Sequence, residues 1–176
     1  MERRKSVEVY ISVGSNIDPE MNIPRALEEL KRYVHVKATS TFYRTMPIGR
    51  PEQQFFLNGV WLIETDKTPQ ELKFAILRNI EQELGRIRTQ DKYAARTIDL
   101  DIALYGDRVI KEDELVIPDP DIRERSFIAI PLMELNPSLV LPDTGEIISS
   151  LDIVEDRDGL KALDVLTESL RERIRT

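Results

Sequence analysis

The chain contains no cysteine, which excludes disulfides, thiol nucleophiles and zinc–thiolate centres and leaves no argument for export. Histidine is nearly absent: His35 stands alone between an expected helix and strand, where it reads as a surface residue rather than a catalyst. Glycine is scarce at seven residues, and none of them builds a G-x-x-x-x-G-K-[ST] or G-x-G-x-x-G loop. No apolar run approaches the roughly 20 residues of a membrane helix. Met1-Glu2-Arg3-Arg4-Lys5 is charged, and Val7 to Val13 alternates in polarity instead of forming a secretory core, so a cytoplasmic protein is expected. Excess positive charge is missing too. The formal net charge is −7, which speaks against general nucleic-acid binding but leaves a small phosphate ligand open to a locally basic segment.

What is present is an ordinary globular composition, 41% hydrophobic and 32% charged over 176 residues, enough for one buried core. Residues 1–152 are expected to form the main body, with 153–176 a helical extension of the same domain. Val7, Val9, Ile11 and Val13 alternate with Glu8, Tyr10 and Ser12 as a strand, broken at Gly14-Ser15-Asn16. A helix follows with Pro24 in its first turn and a stripe of Ile23, Ala26, Leu27, Leu30 and Val34. Strands are expected over Val36–Tyr43 and Leu57–Glu64, on either side of a loop with Pro47, Gly49 and Pro51. Thr68-Pro69-Gln70-Glu71 is a capping box opening a second helix, whose buried face reads Leu72, Ala75, Ile76, Ile80 and Leu84 before Gly85 stops it. A fourth strand spans Thr97–Tyr105, a short hairpin follows Gly106-Asp107, and a third helix lies within Ser126–Leu135. The order βαββαβ implies an α+β fold of ferredoxin-like type, an antiparallel sheet with helices packed on it. Leu160, Leu163, Leu166, Leu170 and Ile174 mark one more amphipathic helix, which either packs on its own domain or mediates self-association; a monomer is the simpler expectation.

The sharpest local feature is Arg96-Thr97-Ile98-Asp99-Leu100-Asp101-Ile102. Strand alternation puts Ile98, Leu100, Ile102 and Leu104 on one face and both aspartates on the other, their Cα atoms roughly 6.6 Å apart. Two like charges that close repel each other and resist desolvation, and a divalent cation relieves both costs. A solvated polar face is the bland alternative. Arg86, Arg88, Lys92 and Arg96 lie just upstream with the single acid Asp91 among them, and Arg123 and Arg125 follow downstream. Guanidinium forks beside paired acids suit a polyphosphate held between metal and arginine, so the combination points to a magnesium–nucleotide site. Phe42-Tyr43-Arg44-Thr45 and Phe55-Phe56-Leu57-Asn58 are either core aromatics or a stacking platform whose Asn58 reads the edge of a flat ring.

The succession Val13-Gly14-Ser15-Asn16, Phe42-Tyr43-Arg44-Thr45, Phe56-Leu57-Asn58 and Leu84-Gly85-Arg86-Ile87-Arg88 resembles the 6-hydroxymethyl-7,8-dihydropterin pyrophosphokinase family. So do Arg96-Thr97-Ile98-Asp99-Leu100-Asp101-Ile102, Arg125-Ser126-Phe127 and Pro131-Leu132, and the likeness runs in order from about residue 7 to about residue 150. The resemblance implies two magnesium ions on Asp99 and Asp101 and transfer of pyrophosphate from ATP to the pterin, a step of folate biosynthesis. It implies Arg86 and Arg96 as the catalytic arginines on the phosphates. Glu81, Arg88, Ile102 and Arg125 would join them around ATP, and Thr45, Ile48, Phe56, Asn58 and Phe127 would surround the pterin ring. The loops around Gly49 and from Arg88 to Ala95 would be lids. The chain departs from the family pattern at Ala94-Ala95, where Gly-Pro is usual, at Phe56, where a tyrosine is usual, and at three further positions. Asp119 stands where a histidine is usual and would repel phosphate unless protonated, metal-linked or turned away; Lys92 and Tyr93 replace an arginine and a tryptophan of the lid. A relative that binds pterin or nucleotide without efficient turnover is therefore the alternative to an active enzyme.

Overall fold

The computed structural model describes residues 4–46, 52, 54–91 and 93–176. Among these, β1 (Val7–Ser15) is an interior strand of a six-stranded antiparallel sheet. It pairs on one side with β4 (Phe56–Thr65) and on the other with the edge strand β5 (Asp99–Tyr105). The far edge of β4 carries two short strands rather than the single one expected over Val36–Tyr43. β2 (His35–Thr39) covers the end of β4, and β3 (Tyr43–Thr45) covers its beginning. Ser40 makes the break, because its Oγ replaces a backbone carbonyl and accepts the Val60 N–H at 2.9 Å. β6 (Ile110–Glu112) and β7 (Leu115–Ile117) form the anticipated separate hairpin.

Both faces of the sheet are covered. On one lie α1 (Pro19–Lys31) and a helical stretch that is π-helical over Glu71–Leu77 and continues as α2 (Arg78–Glu83). On the other lie α3 (Ser126–Leu135) and the chain that follows it. The strand β8 (Lys161–Ala162) extends the sheet beyond β3, and α4 (Asp164–Arg175) packs Leu170 into the first layer.

Three local expectations need correction. α1 starts at Pro19 after a left-handed Asp18, so Pro24 lies inside the helix and not in its first turn. The π-helical turn carries more than 3.6 residues, so Leu77 takes the buried place expected of Ala75, which is exposed. On β5 a register shift between Tyr10 and Ile11 makes Ala103 an extra residue, turning Leu104 to the opposite face from Leu100 and Ile102.

Gly59 is required by packing. A Cβ there would lie 2.5 Å from the fully buried Phe42 ring, which itself rests against Trp61. Gly59→Ala is expected to cost about 2–3 kcal/mol and lower Tm by about 5–10 °C, since the ring has no free space to enter. A melting curve matching the wild type would show that Phe42 can move.

Candidate active site

The open end of the second face, beside α3, is a cavity of about 350 Å³. β1 contributes Ser12, Val13 and Gly14 to its wall, β4 contributes Phe56, Asn58 and Gly59, and β5 contributes Asp99 and Asp101. Thr45 of β3 adds to it, and Tyr93, Arg96, Asp119, Asp121, Arg125 and Phe127 join from the loops and the start of α3. Strand geometry explains the convergence: Gly14 pairs with Asn58 on one neighbour and with Asp99 on the other, so the ring-facing and acid-facing strands meet across one glycine. A Cβ on Gly14 would stand 2.8 Å from Asn58 Oδ1, so the bare glycine leaves room for that amide. Asn58 Nδ2 donates to Thr45 Oγ1 at 2.7 Å, which fixes the amide and leaves its remaining donor and its oxygen for a ligand.

The acids are both met by cations, in different ways. Asp99 accepts Arg86 at 2.9 Å on Oδ1 and Arg96 at 2.8 Å on Oδ2. Burial works against its charge, but the two guanidinium groups outweigh it and hold the carboxyl below the usual range. Asp101 has Lys73 Nζ at 3.4 Å and the Ile102 N–H at 2.9 Å, both on Oδ1. Burial pushes this carboxyl up, the neighbouring Asp99 charge adds to the rise, and Lys73 only partly offsets it. Two carboxylates on one strand face, both lining the cavity and both partly exposed, are hard oxygen donors that fit a magnesium ion.

Glu81 is buried at 1% exposure and organises the basic side of the site. Its carboxylate pairs with both Arg86 and Arg88 and accepts the Leu100 N–H of the free edge of β5 at 2.9 Å. It thereby ties α2 to the strand and aims Arg86 at Asp99. A second hollow of about 230 Å³ opens beside it, lined by Arg86, Arg88, Ala94, Ala95 and Arg96. Arg96 itself is anchored through its backbone: Asn16 Oδ1 accepts its N–H at 2.8 Å, and its carbonyl receives the N–H groups of Asn16 and Ile17.

Most of the sequence-derived site residues thus come together, with three qualifications. The Ile102 side chain belongs to the core, at 1% exposure, so only its backbone can approach a nucleotide. Glu81 serves behind the arginines rather than in the cavity wall. Ile48 and Lys92, with the Pro47–Pro51 loop, lie outside the described residues. Sequence reasoning missed Lys73, which is half-buried and gives no motif; only its position beside Asp101 of β5 reveals it.

Asp119 lines the cavity and caps the turn that follows, accepting the Asp121 N–H at 2.9 Å. Burial raises its carboxyl to about 7, and Asp101, Asp121 and Asp99 add to the rise. The group is therefore largely protonated below neutrality, which removes the repulsion expected of an ionised Asp119 toward phosphate. Its ordinary value is 3.8, so the folded state holds an extra proton between about 4 and 7, and stability falls as pH rises through that window. Asp119→Asn keeps the cap and cannot ionise. It is expected to melt with the wild type near pH 4 and above it at pH 8, a difference that thermal denaturation in chelator would register. A pH-independent difference would contradict this assignment.

A model of the family 7,8-dihydro-6-hydroxymethylpterin-pyrophosphokinase (HPPK) matches residues 10–137, which carry every described residue named above as lining the cavity. The chain belongs to the HPPK family. The 2-amino-4-hydroxy-6-hydroxymethyldihydropteridine pyrophosphokinase of Haemophilus influenzae is 38% identical over 148 residues, covering 82% of this chain and 91% of that protein. The Aquifex aeolicus protein of the same name is 36% identical over 135 residues, covering 76% and 83%. Folic acid synthesis protein fol1 of Pneumocystis carinii is 39% identical, but the chain spans only 20% of its length. Among solved structures, a Plasmodium falciparum HPPK-DHPS superposes with a TM-score of 0.72 at 13% identity, over 92% of this chain and 49% of that one, a likeness of fold. The HPPK match ends before β8 and α4, which lie outside it.

Proposed function

We propose that the chain transfers the β,γ-pyrophosphoryl group of ATP to the hydroxymethyl oxygen of 6-hydroxymethyl-7,8-dihydropterin. The observation that carries this reading is the shared cavity: Asp99 and Asp101 open into the same space as Phe56, Asn58 and Phe127. Family membership supports it. In the reaction the substrate oxygen forms a bond to the β-phosphorus, the bond from that phosphorus to the α,β-bridging oxygen breaks, AMP leaves with that oxygen, and the hydroxyl proton passes to solvent. Phosphoryl-type transfer needs position and charge more than a protein nucleophile, in keeping with a site rich in arginine and without cysteine.

Phe56 and Phe127 sandwich the pterin, and Asn58, held by Thr45, reads its edge. Arg86 and Arg96 turn from Asp99 to the phosphates and balance the charge that gathers as the bridging bond breaks, joined by Arg125. Two magnesium ions held by Asp99 and Asp101 would neutralise phosphate oxygens and orient the attacking hydroxyl. Residues 1–152 carry this chemistry in a cytoplasmic monomer, and 153–176 extend the same domain.

The test is a product assay with ATP, Mg²⁺ and the pterin, resolved by chromatography. AMP accumulating in step with a pterin diphosphate is the expected outcome. ADP would mean a simple kinase, and pterin binding without either nucleotide product would mean a family member that has lost turnover.

A further inference from the structure

Lys73 sits on the π-helical stretch, away from the HPPK motifs, yet its ammonium is 3.4 Å from Asp101 Oδ1 and its side chain is only 17% exposed. The same nitrogen donates to the Glu114 carbonyl in the turn between β6 and β7. Glu114 is in turn paired with Arg78, so the helix, hairpin and β5 are joined at this point. Across the site, Asp99 is occupied on both oxygens by Arg86 and Arg96. Every acid that would hold metal is therefore already met by a cation of the protein. Among the described residues, Glu81, Asp99 and Asp101 are in direct contact with Arg86, Arg88, Arg96 and Lys73.

A free divalent cation entering here gains two carboxylates but must face the cations already paired with them, with Asp119 and Asp121 lining the same cavity. A polyanion relieves this, because its phosphates draw off the arginines and bring negative charge of their own. We propose that Lys73 is a counter-charge gate on Asp101, which suppresses metal binding by the ligand-free protein and makes metal entry depend on the nucleotide. The inference rests on Asp99 and Asp101 being the metal-holding acids. The ammonium and a metal ion compete for one carboxylate at contact distance, where the interaction between charges is strongest.

The gate predicts a sign that a supporting role does not. Lys73→Met removes the charge and keeps the stem, and Lys73→Gln also keeps a donor for the Glu114 carbonyl. Both are expected to bind Mn²⁺ in the absence of nucleotide about tenfold more tightly than wild type, by calorimetry or electron spin resonance. Lys73→Arg, with its charge kept, is expected to match the wild type. If Lys73 instead braces Asp101 for the metal, Met and Gln weaken Mn²⁺ binding, and the proposal is wrong; unchanged affinity overturns it equally. Adding Asp101→Ala to Lys73→Met should abolish the gain. A gain that survives in the double variant places the ion elsewhere and defeats the metal assignment itself, whatever the role of Lys73.

Discussion

Asp101→Ala is expected to lower turnover by about a thousandfold or more while leaving the fold intact. The carboxylate faces the cavity and not the core, so truncation leaves no void among packed side chains. Burial and Asp99 disfavour its charge while Lys73 and the Ile102 N–H favour it, so its loss should change Tm little. Asp99→Ala is expected to be as inactive but to differ in stability, because it strips Arg86 and Arg96 of a shared partner. Steady-state rates with melting curves on both variants check this. A normal rate in either would remove that acid from the metal assignment.

Phe127→Ala is expected to weaken pterin binding by about tenfold to a hundredfold, the range that loss of one stacking aromatic produces. Binding of a non-hydrolysable ATP analogue should change by less than a few-fold. Phe127 lies in the first turn of α3, and its half-buried ring lines the same cavity as Phe56, while Arg86, Arg96 and the aspartates belong to other elements. Calorimetry separates the two ligands. Equal losses for both would mean that truncation had shifted α3, and the stacking role would be wrong.

The acid pair was legible because strand alternation is a short-range rule: Asp99 and Asp101 must share a face wherever β5 lies. The end of α3 at Leu135 was legible from a short-range signal too, the Asn136-Pro137 that follows it. The bulge at Ala103 was not, since it depends on the register that β1 imposes across the sheet. Nor was the division of β2 from β3, which comes from one hydroxyl, Ser40 Oγ, competing with the backbone ladder. The π-helical shift that buries Leu77 likewise breaks the 3.6-residue period on which the reading of that helix rested. At the site, residues within motifs were readable and residues acting across elements were not. Glu81 was expected near the nucleotide, but its grip on Arg86, Arg88 and the β5 edge depends on the docking of α2. Lys73 carries no local signal at all; it gains meaning only from lying within 3.4 Å of Asp101.

The central claim is that one cavity places the pterin hydroxyl against the β-phosphorus of ATP and not the γ-phosphorus. Its most direct test follows ATP radiolabelled at the β-phosphorus through a single turnover with Mg²⁺ and the pterin. The account predicts that the label moves to the pterin and that the AMP formed is unlabelled. Label retained in ADP would contradict it, showing attack at the γ-phosphorus and a cavity that holds its two substrates in a different relation.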